Sequence, residues 1–339
     1  MLEPLTDLRS LVYDPDPRGM RSARESVVGY YGENRSNVSV DNLVITTSTS
    51  ESYSFIFRLL CDPGDEVLVA QPSYPLFDFL ADLDDVRLRP YPLFYDHGWW
   101  IDQSELERAI TPRTRAILVV HPNNPTGHWT GSSEREALEA ICVRHGLALI
   151  VDEVFLDYPL REGGEQPRSF ACGEHPALTF VLSGLSKIVG LPQMKAAWIA
   201  AFGPQREREE ALARLEIIAD TFLSMNAPVQ LAMPVWLAGR SGIQGQILNR
   251  ARSNLATLQR ISEESPDRLH LLHVDAGWSA VLSLPRWVGE PDCALRLARE
   301  RGVLLHPGAF YAMGDSNRVV VSLIGPTEGL KAGILCAIE

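Results

Sequence analysis

The sequence is poor in the features that mark secreted, membrane-spanning and polyanion-binding proteins. Its five cysteines form no C-x-x-C pair and are odd in number, which favours reduced thiols in a cytoplasm over a disulfide framework. Its longest apolar runs resemble Ala196 to Phe202, far short of the roughly 20 residues that cross a bilayer, and the N-terminus lacks a signal-peptide pattern. The net charge is −12, which argues against nucleic acid. We therefore expect a cytoplasmic protein without membrane or nucleic-acid partners.

The chain has 339 residues, 45% of them hydrophobic, and its apolar strands alternate with helices. Strands that are apolar throughout indicate a mostly parallel sheet covered on both faces. After residue 263 the pattern changes to an α+β rhythm, with strands expected at 270–274, 279–284, 303–306 and 318–323. The sequence therefore predicts an α/β protein: a three-layer α/β/α large domain at 13–250 and a smaller α+β domain at 251–339 together with 1–12.

Polar side chains follow five of the predicted strands in the first domain, at the point where each strand ends. They are Ser48 to Ser50, Tyr74, Asn124, Asp152 and Lys187. In open α/β sheets, ligands bind outside the carboxyl ends of the strands. We expect these side chains to lie at one edge of the sheet and to form a site.

Lys187 lies in an apolar segment that also contains Lys195. Burial lowers the pKa of a lysine and favours the neutral amine that forms a Schiff base with a carbonyl. Asp152 follows a buried strand and needs a cation or several donors. Such residues suit a ligand that carries a phosphate, an aromatic nitrogen ring and an aldehyde. Ser48 to Ser50 and Lys195 would hold the phosphate, Tyr74 would stack on the ring, and Asp152 would pair with the ring nitrogen.

Each of these signals also has a simpler interpretation. Lys187 could be an ordinary surface lysine, Ser48 could only cap the following helix, and Tyr74 could pack in the core. The stretch His121 to Gly127 reads HPNNPTG, which suits a plain turn. The case for a site rests on their shared place at the sheet edge.

The order and spacing of several motifs resemble the class I/II aminotransferases, the fold type I enzymes that use pyridoxal 5′-phosphate. The resemblance runs from YDPDPRG (13–19) to RVVVSL (318–323), and its specific matches are PGDEVLV (63–69), PSYP (72–75), NNPTG (123–127), VDEV (151–154) and SGLSK (183–187). It implies an enzyme that moves an amino group between an amino acid and a 2-oxo acid, with Lys187 as the Schiff-base lysine and Asp152 as the partner of the ring nitrogen.

The resemblance also assigns roles to further residues. Asn124 would lie beside the ring's phenolic oxygen and the substrate carboxylate, and Arg318 would grip that carboxylate. Thr49 and Ser50 would donate to the phosphate, and either Ser183 or Ser186 would add a hydroxyl. Tyr13 would reach the phosphate of a neighbouring subunit, which implies a homodimer with shared active sites. Trp278 and Phe310 would line the pocket, although core packing suits each of them equally.

Three features depart from the family pattern. Phe155 stands where a tyrosine usually bonds the ring's phenolic oxygen, and Lys195 replaces an arginine that binds phosphate. Relatives also carry a longer segment before the position of Tyr13, so we expect the N-terminal part of the small domain to be truncated. The segment Glu216 to Ser224 lacks the second arginine of relatives that prefer dicarboxylic substrates, which favours neutral or aromatic amino acids.

Other functions remain open at this level. The same cofactor chemistry supports a C–S β-lyase or a decarboxylase. A truncated, weakly active relative that binds pyridoxal phosphate is a further alternative. A ligand-binding domain of a transcription regulator is disfavoured, because no basic DNA-binding module accompanies it.

Overall fold

The computed structural model describes residues 2–32, 38–161, 167–223, 225–284, 291–314 and 317–338. Its larger sheet has eight strands: β1 (Leu43–Thr46), β2 (Glu66–Gln71), β3 (Arg87–Tyr95), β4 (Trp99–Ile101), β5 (Thr114–Val120), β6 (Ala148–Asp152), β7 (Thr179–Gly184) and β8 (Ala197–Phe202). Their order is β1-β8-β7-β6-β5-β2-β3-β4. The central run from β7 to β3 is parallel, which confirms the predicted mostly parallel sheet.

Helices cover both faces of this sheet, and their bounds are α1 (Arg21–Gly32), α2 (Thr49–Leu60), α3 (Leu76–Leu83), α4 (Gln103–Ala109), α5 (Ser132–His145), α6 (Leu185–Ile188), α7 (Gln205–Phe222) and α8 (Ala227–Ala238). Alternate residues of β6 point to opposite faces. Leu149 and Val151 join one core with α1, α5 and α8, whereas Ala148 and Ile150 join another with α2, α3 and α7. The uninterrupted apolar sequence of β6 is thus explained by burial on both sides.

The smaller sheet is antiparallel in the order β11-β12-β10-β9. Its strands are β9 (His270–Leu271), β10 (Ser279–Ser283), β11 (His306–Pro307) and β12 (Arg318–Ser322), and its helices are α9 (Arg240–Glu264), α10 (Pro291–Arg296) and α11 (Thr327–Ile338). These elements share a hydrophobic core of their own. Because α9 runs without a break through residue 250, the domain division there remains a prediction.

The predicted strand at 303–306 is wrong over most of its length, because only His306 pairs with β12 in that stretch. A π-helical turn at Leu297–Arg301 continues α10 and ends at Gly302, whose φ is 66°. The Val303 N–H then donates to Leu297 O at 3.1 Å. Closing the helix therefore uses Val303, the first residue that the apolar pattern assigned to the strand.

The strand directions bring the ends of β1, β2, β5, β6 and β7 to one edge. β1 is antiparallel to β8, which is antiparallel to β7, so β1 runs in the same direction as the parallel strands. This confirms the geometric basis of the predicted site. Among the described helices, none combines the length and the apolar character needed to cross a bilayer.

Candidate active site

Asp152 is the last residue of β6 and is only 6% exposed. Its Oδ2 accepts a hydrogen bond from the Tyr53 hydroxyl at 2.7 Å, and its Oδ1 accepts one from the Val154 N–H at 3.0 Å. Burial raises the pKa of Asp152, although these two donors and the charge of Lys187 oppose that rise. The carboxyl group is therefore held in place at the strand end, with the donors that its burial requires.

Lys187 lies in the single turn of α6, directly after β7. Its Nζ is 5.9 Å from the ring centroid of Phe155 and 5.9 Å from that of Trp278. Burial lowers the pKa of Lys187, the Asp152 carboxylate opposes this, and the nearby charge of Lys195 adds to it. Lys187 is thus a partly desolvated amine near a buried carboxylate, as the sequence predicted.

Aromatic rings surround the Lys187 amine. Trp278 packs edge-on against Phe155 with centroids 5.6 Å apart and against Tyr158 with centroids 5.0 Å apart. The structure therefore brings Trp278 to the lysine, where its role in substrate binding stays a prediction. Phe155 occupies the same surroundings and offers no hydroxyl.

The N-terminus of α2 lies where the phosphate loop was predicted. Ser48 Oγ accepts from the Glu51 N–H at 3.1 Å, as an N-cap does, and Glu51 Oε2 accepts from the N–H of Thr47, the residue before the cap, at 2.6 Å. Ser48 therefore does cap the helix. The N–H groups of Thr49 and Ser50, in the first turn, have no partner within the helix and face outward from its positive end, which suits an anion.

Ser183, Ser186 and Lys195 differ in their surroundings. Ser183 is 1% exposed, and its Oγ has no hydrogen-bond partner within the described residues. Ser186 is half-buried and Lys195 is exposed. An unpaired buried hydroxyl costs free energy unless a ligand supplies a partner, so burial distinguishes Ser183 from Ser186, and the binding role of either stays a prediction.

Tyr74 and Asn124 follow β2 and β5 at the same edge. The Tyr74 ring packs edge-on against Phe77, whose ring also packs against Tyr53. Burial and the Asp152 charge raise the pKa of Tyr74, which places its hydroxyl in the electrostatic field of the site. Asn124 is half-buried in a turn that Asn123 fixes by accepting the Gly127 N–H at 2.8 Å.

Arg318 and Phe310 belong to the C-terminal part of the chain, where Arg318 begins β12. The Arg318 guanidinium packs over the Trp99 ring at 5.2 Å, and burial lowers the pKa of Arg318. Phe310 is 58% exposed in a 3-10 helix (Gly308–Tyr311) whose last carbonyl accepts the Ser73 N–H at 3.2 Å. The helix that carries Phe310 therefore borders the exit of β2, and Arg318 packs against β4.

Tyr13 is 88% exposed. It makes no recorded hydrogen bond or ring contact with the site of its own chain, within the residues that the structure covers. Its predicted reach to a second subunit stays a prediction.

The sequence did not single out Tyr53, Glu51 or Tyr158. Tyr53 lies one turn beyond Thr49 and Ser50 on α2, a spacing that places it on the same helix face. That spacing was the available signal. Tyr158 donates from its hydroxyl to the Lys187 carbonyl, and a contact between residues so far apart in sequence leaves no local pattern.

Comparison with known proteins gives a consistent result. The family model described as aminotransferase class I and II matches residues 9–328. Glutamate-pyruvate aminotransferase AlaA of Escherichia coli strain K12 is 30% identical over 229 residues, which are 67% of this chain and 56% of that protein. Alanine aminotransferase of Mycobacterium tuberculosis strain H37Rv is 30% identical over 239 residues, which are 70% and 55%. The chain thus spans about half the length of the curated relatives it matches.

Solved structures agree in fold. Tyrosine aminotransferase from Leishmania infantum has a TM-score of 0.89 at 20% identity, covering 99% of this chain and 85% of that one. Alanine aminotransferase from Pyrococcus furiosus has a TM-score of 0.86 at 22% identity, covering 96% and 82%. At these identities the likeness shows a shared fold, and it confirms the predicted fold type I architecture.

Proposed function

Since this chain belongs to the class I and II aminotransferase family, whose members use pyridoxal 5′-phosphate, we propose that it transfers an amino group between an amino acid and a 2-oxo acid. The observation that carries the proposal is the placement of Asp152 at the end of β6 and of Lys187 just beyond the end of the neighbouring strand β7. The amine is desolvated by burial, and the carboxyl is fixed by Tyr53 and Val154.

The described residues fit this cofactor. Ser183 Oγ is a buried hydroxyl that lacks a partner within the described part of the chain, and the first N–H groups of α2 suit a phosphate. In this proposal Thr49, Ser50, Ser183 and the exposed Lys195 bind the phosphate. Lysine is a point charge without the bidentate fork of arginine, so we expect weaker phosphate binding than in relatives with arginine.

Each remaining residue has one task. When bound, pyridoxal phosphate supplies an aldehyde that joins to an amine and a ring that withdraws electrons from the α-carbon of an amino acid. Asp152 would hold a proton on the ring nitrogen, since an adjacent carboxylate stabilises the charged form. Lys187 Nζ would remove the α-proton and return it to the carbon of the former aldehyde, because burial favours the neutral amine that acts as a general base.

Tyr74, Asn124 and Arg318 would orient the ligands. The Tyr74 ring would stack on the cofactor ring, and the Asn124 amide would bond its phenolic oxygen. The Arg318 guanidinium would bind the substrate carboxylate through two parallel hydrogen bonds. Trp278 would line the substrate pocket beside Lys187.

Neutral amino acids are the proposed donors, with alanine first. The curated relatives named above are alanine and glutamate-pyruvate aminotransferases, and the segment from Glu216 to Ser224 offers no second arginine for a dicarboxylic substrate. We also propose a cytoplasmic homodimer in which Tyr13 reaches the partner's phosphate site. Sedimentation of the purified protein tests the dimer, and a monomer that transaminates would contradict the shared sites.

The test is borohydride reduction of the purified protein with added pyridoxal phosphate, followed by peptide mass mapping. We expect the label on Lys187 and none in Lys187→Ala. A donor screen should then form a keto acid only when a 2-oxo acid acceptor is added. Ammonia and pyruvate without an acceptor would instead indicate a β-lyase, and carbon dioxide would indicate a decarboxylase. Labelling without turnover would indicate a binding-competent but inactive relative.

A further inference from the structure

Tyr158 is a fully buried residue that contacts three parts of the candidate site. Its hydroxyl donates to the Lys187 carbonyl oxygen. Its ring packs edge-on against Trp278, with centroids 5.0 Å apart and planes at 67°. Its own carbonyl accepts the Gly277 N–H at 2.9 Å. None of the roles assigned above uses this residue.

The backbone of Lys187 belongs to the short helix α6. α6 is only four residues long, and its start is tied down where the Leu185 N–H donates to Ala196 O at 2.9 Å. The last carbonyls of a helix have no partner within it. The Tyr158 hydroxyl therefore supplies the hydrogen bond that the Lys187 carbonyl would otherwise lack.

We propose that Tyr158 is a positioning residue, which holds the Lys187 backbone and the Trp278 indole in a fixed relation so that the lysine amine stays between its aromatic neighbours. Because Lys187 Nζ is 5.9 Å from the Trp278 centroid, a small shift of either group changes how well the amine is shielded from water. The expected effect of Tyr158 on proton removal rests on the proposed function, whereas its effect on the position and shielding of the Lys187 amine does not.

The hydroxyl can be removed without removing the ring. Tyr158→Phe keeps the packing against Trp278 and deletes only the hydrogen bond to Lys187. In the apoprotein, weaker shielding should raise the pKa of Lys187 toward its ordinary value, because burial is the main cause of its depression. We would measure the pH dependence of Lys187 acetylation by acetic anhydride, read by peptide mass spectrometry. The midpoint should move to higher pH in the variant.

The loaded enzyme gives a second readout. A misplaced amine should slow proton removal, so we expect kcat to fall about tenfold, which is about 1.4 kcal/mol, with KM changed less than twofold. The isotope effect on kcat from an α-deuterated amino donor should increase, because proton transfer becomes more rate-limiting. A purely structural role would not change that isotope effect.

Tyr91→Phe is the matched control. Tyr91 is also fully buried, and its hydroxyl donates to a backbone carbonyl, Leu118 O, at 3.3 Å. Tyr91→Phe should lose stability in the same way, and it should change neither the acetylation midpoint of Lys187 nor the kinetics of the loaded enzyme. If Tyr158→Phe behaves like Tyr91→Phe in both, the positioning role is refuted.

Two safeguards keep the test decisive. If Tyr158→Phe does not fold, Trp278→Phe takes its place. The proposal requires that a smaller ring beside Tyr158 also raise the acetylation midpoint of Lys187. An unchanged midpoint in Trp278→Phe would refute the proposal. If the wild type neither takes up the cofactor nor transaminates, the proposed function fails, whereas the acetylation profiles of the apoproteins still decide on Tyr158.

Discussion

Gly127 allows the segment between β9 and β10 to approach the turn that follows β5. Its φ is 70°, and an added Cβ would lie 2.2 Å from Val274 Cγ2 and 2.6 Å from Ala276 O. Its carbonyl accepts the N–H groups of Asp275 at 3.2 Å and Ala276 at 3.0 Å. Gly127→Ala should therefore push the segment before Trp278 away from the turn that carries Asn124.

The expected cost has two parts. A left-handed conformation costs a non-glycine residue about 1–2 kcal/mol, and overpacking costs about 1–3 kcal/mol more. We therefore expect Gly127→Ala to lower the free energy of unfolding by about 2–5 kcal/mol. Gly146 is the control, since its φ is 63° but no atom lies within 4 Å of the added Cβ. Gly146→Ala should lose only the about 1–2 kcal/mol that the left-handed conformation costs.

Urea unfolding of both variants, followed by tryptophan fluorescence, measures the difference. The Gly127 variant should also lose transamination activity, because the segment that it displaces leads into Trp278. Equal losses of stability in the two variants would refute the argument from close approach. Undiminished activity in Gly127→Ala would refute the link between this contact and the site.

Three further predictions concern hydroxyl and carboxyl groups. Phe155→Tyr restores a donor beside Lys187, so the pH midpoint of the visible band of the cofactor-loaded protein should fall by about 1–2 units; an unchanged titration would contradict this. Tyr53→Phe should raise the pKa of Asp152, because the Tyr53 hydroxyl donates to the carboxylate, and should cost the apoprotein about 1.5–3 kcal/mol where Asp152 is ionised; urea unfolding should show this cost becoming smaller as the pH falls and the carboxyl is protonated. Burial raises the pKa of Glu153 from 4.5 to about 8, so between these values the unfolded chain ionises this group while the folded protein keeps it protonated. The stability that Glu153 contributes is thus lost as the pH rises through this window. In urea unfolding, the free energy of unfolding of Glu153→Gln relative to that of the wild type should increase by a few kcal/mol, on the order of the shift, between pH 5 and pH 9. A relative free energy that stays constant with pH would contradict this reasoning.

The sequence was sufficient to predict that the strand ends share one edge of the sheet and which polar residues follow them. Strands such as β6 are buried on both faces, so their apolar runs stand out, and the polar residue that follows marks the edge. Asp152 and Lys187 were found in this way. Their order along the chain, together with the NNPTG turn, then indicated the family.

The sequence was insufficient where contacts join distant segments. Tyr53 and Tyr158 reach Asp152 and Lys187 across 99 and 29 residues, and no local pattern marks such pairs. The choice between Ser183 and Ser186 likewise depended on burial in three dimensions. The missing strand at 303–306 shows the same limit, since helix closure at Gly302 competed with an apolar pattern.

The register of the small sheet separates the backbones of Trp278 and Arg318 along its strands. Arg318 pairs with Ser283, whereas Trp278 precedes Ser279 at the other end of β10, so the two backbones are offset by about 17 Å along the strands at about 3.4 Å per residue. Because the Trp278 ring lies beside the Lys187 amine, whereas the proposed role of Arg318 is to bind the substrate carboxylate, a substitution of Trp278 should alter proton transfer and Arg318→Lys should mainly raise KM for the amino acid. Steady-state kinetics with an α-deuterated donor separates the two effects, and an isotope effect changed by Arg318→Lys would contradict this division.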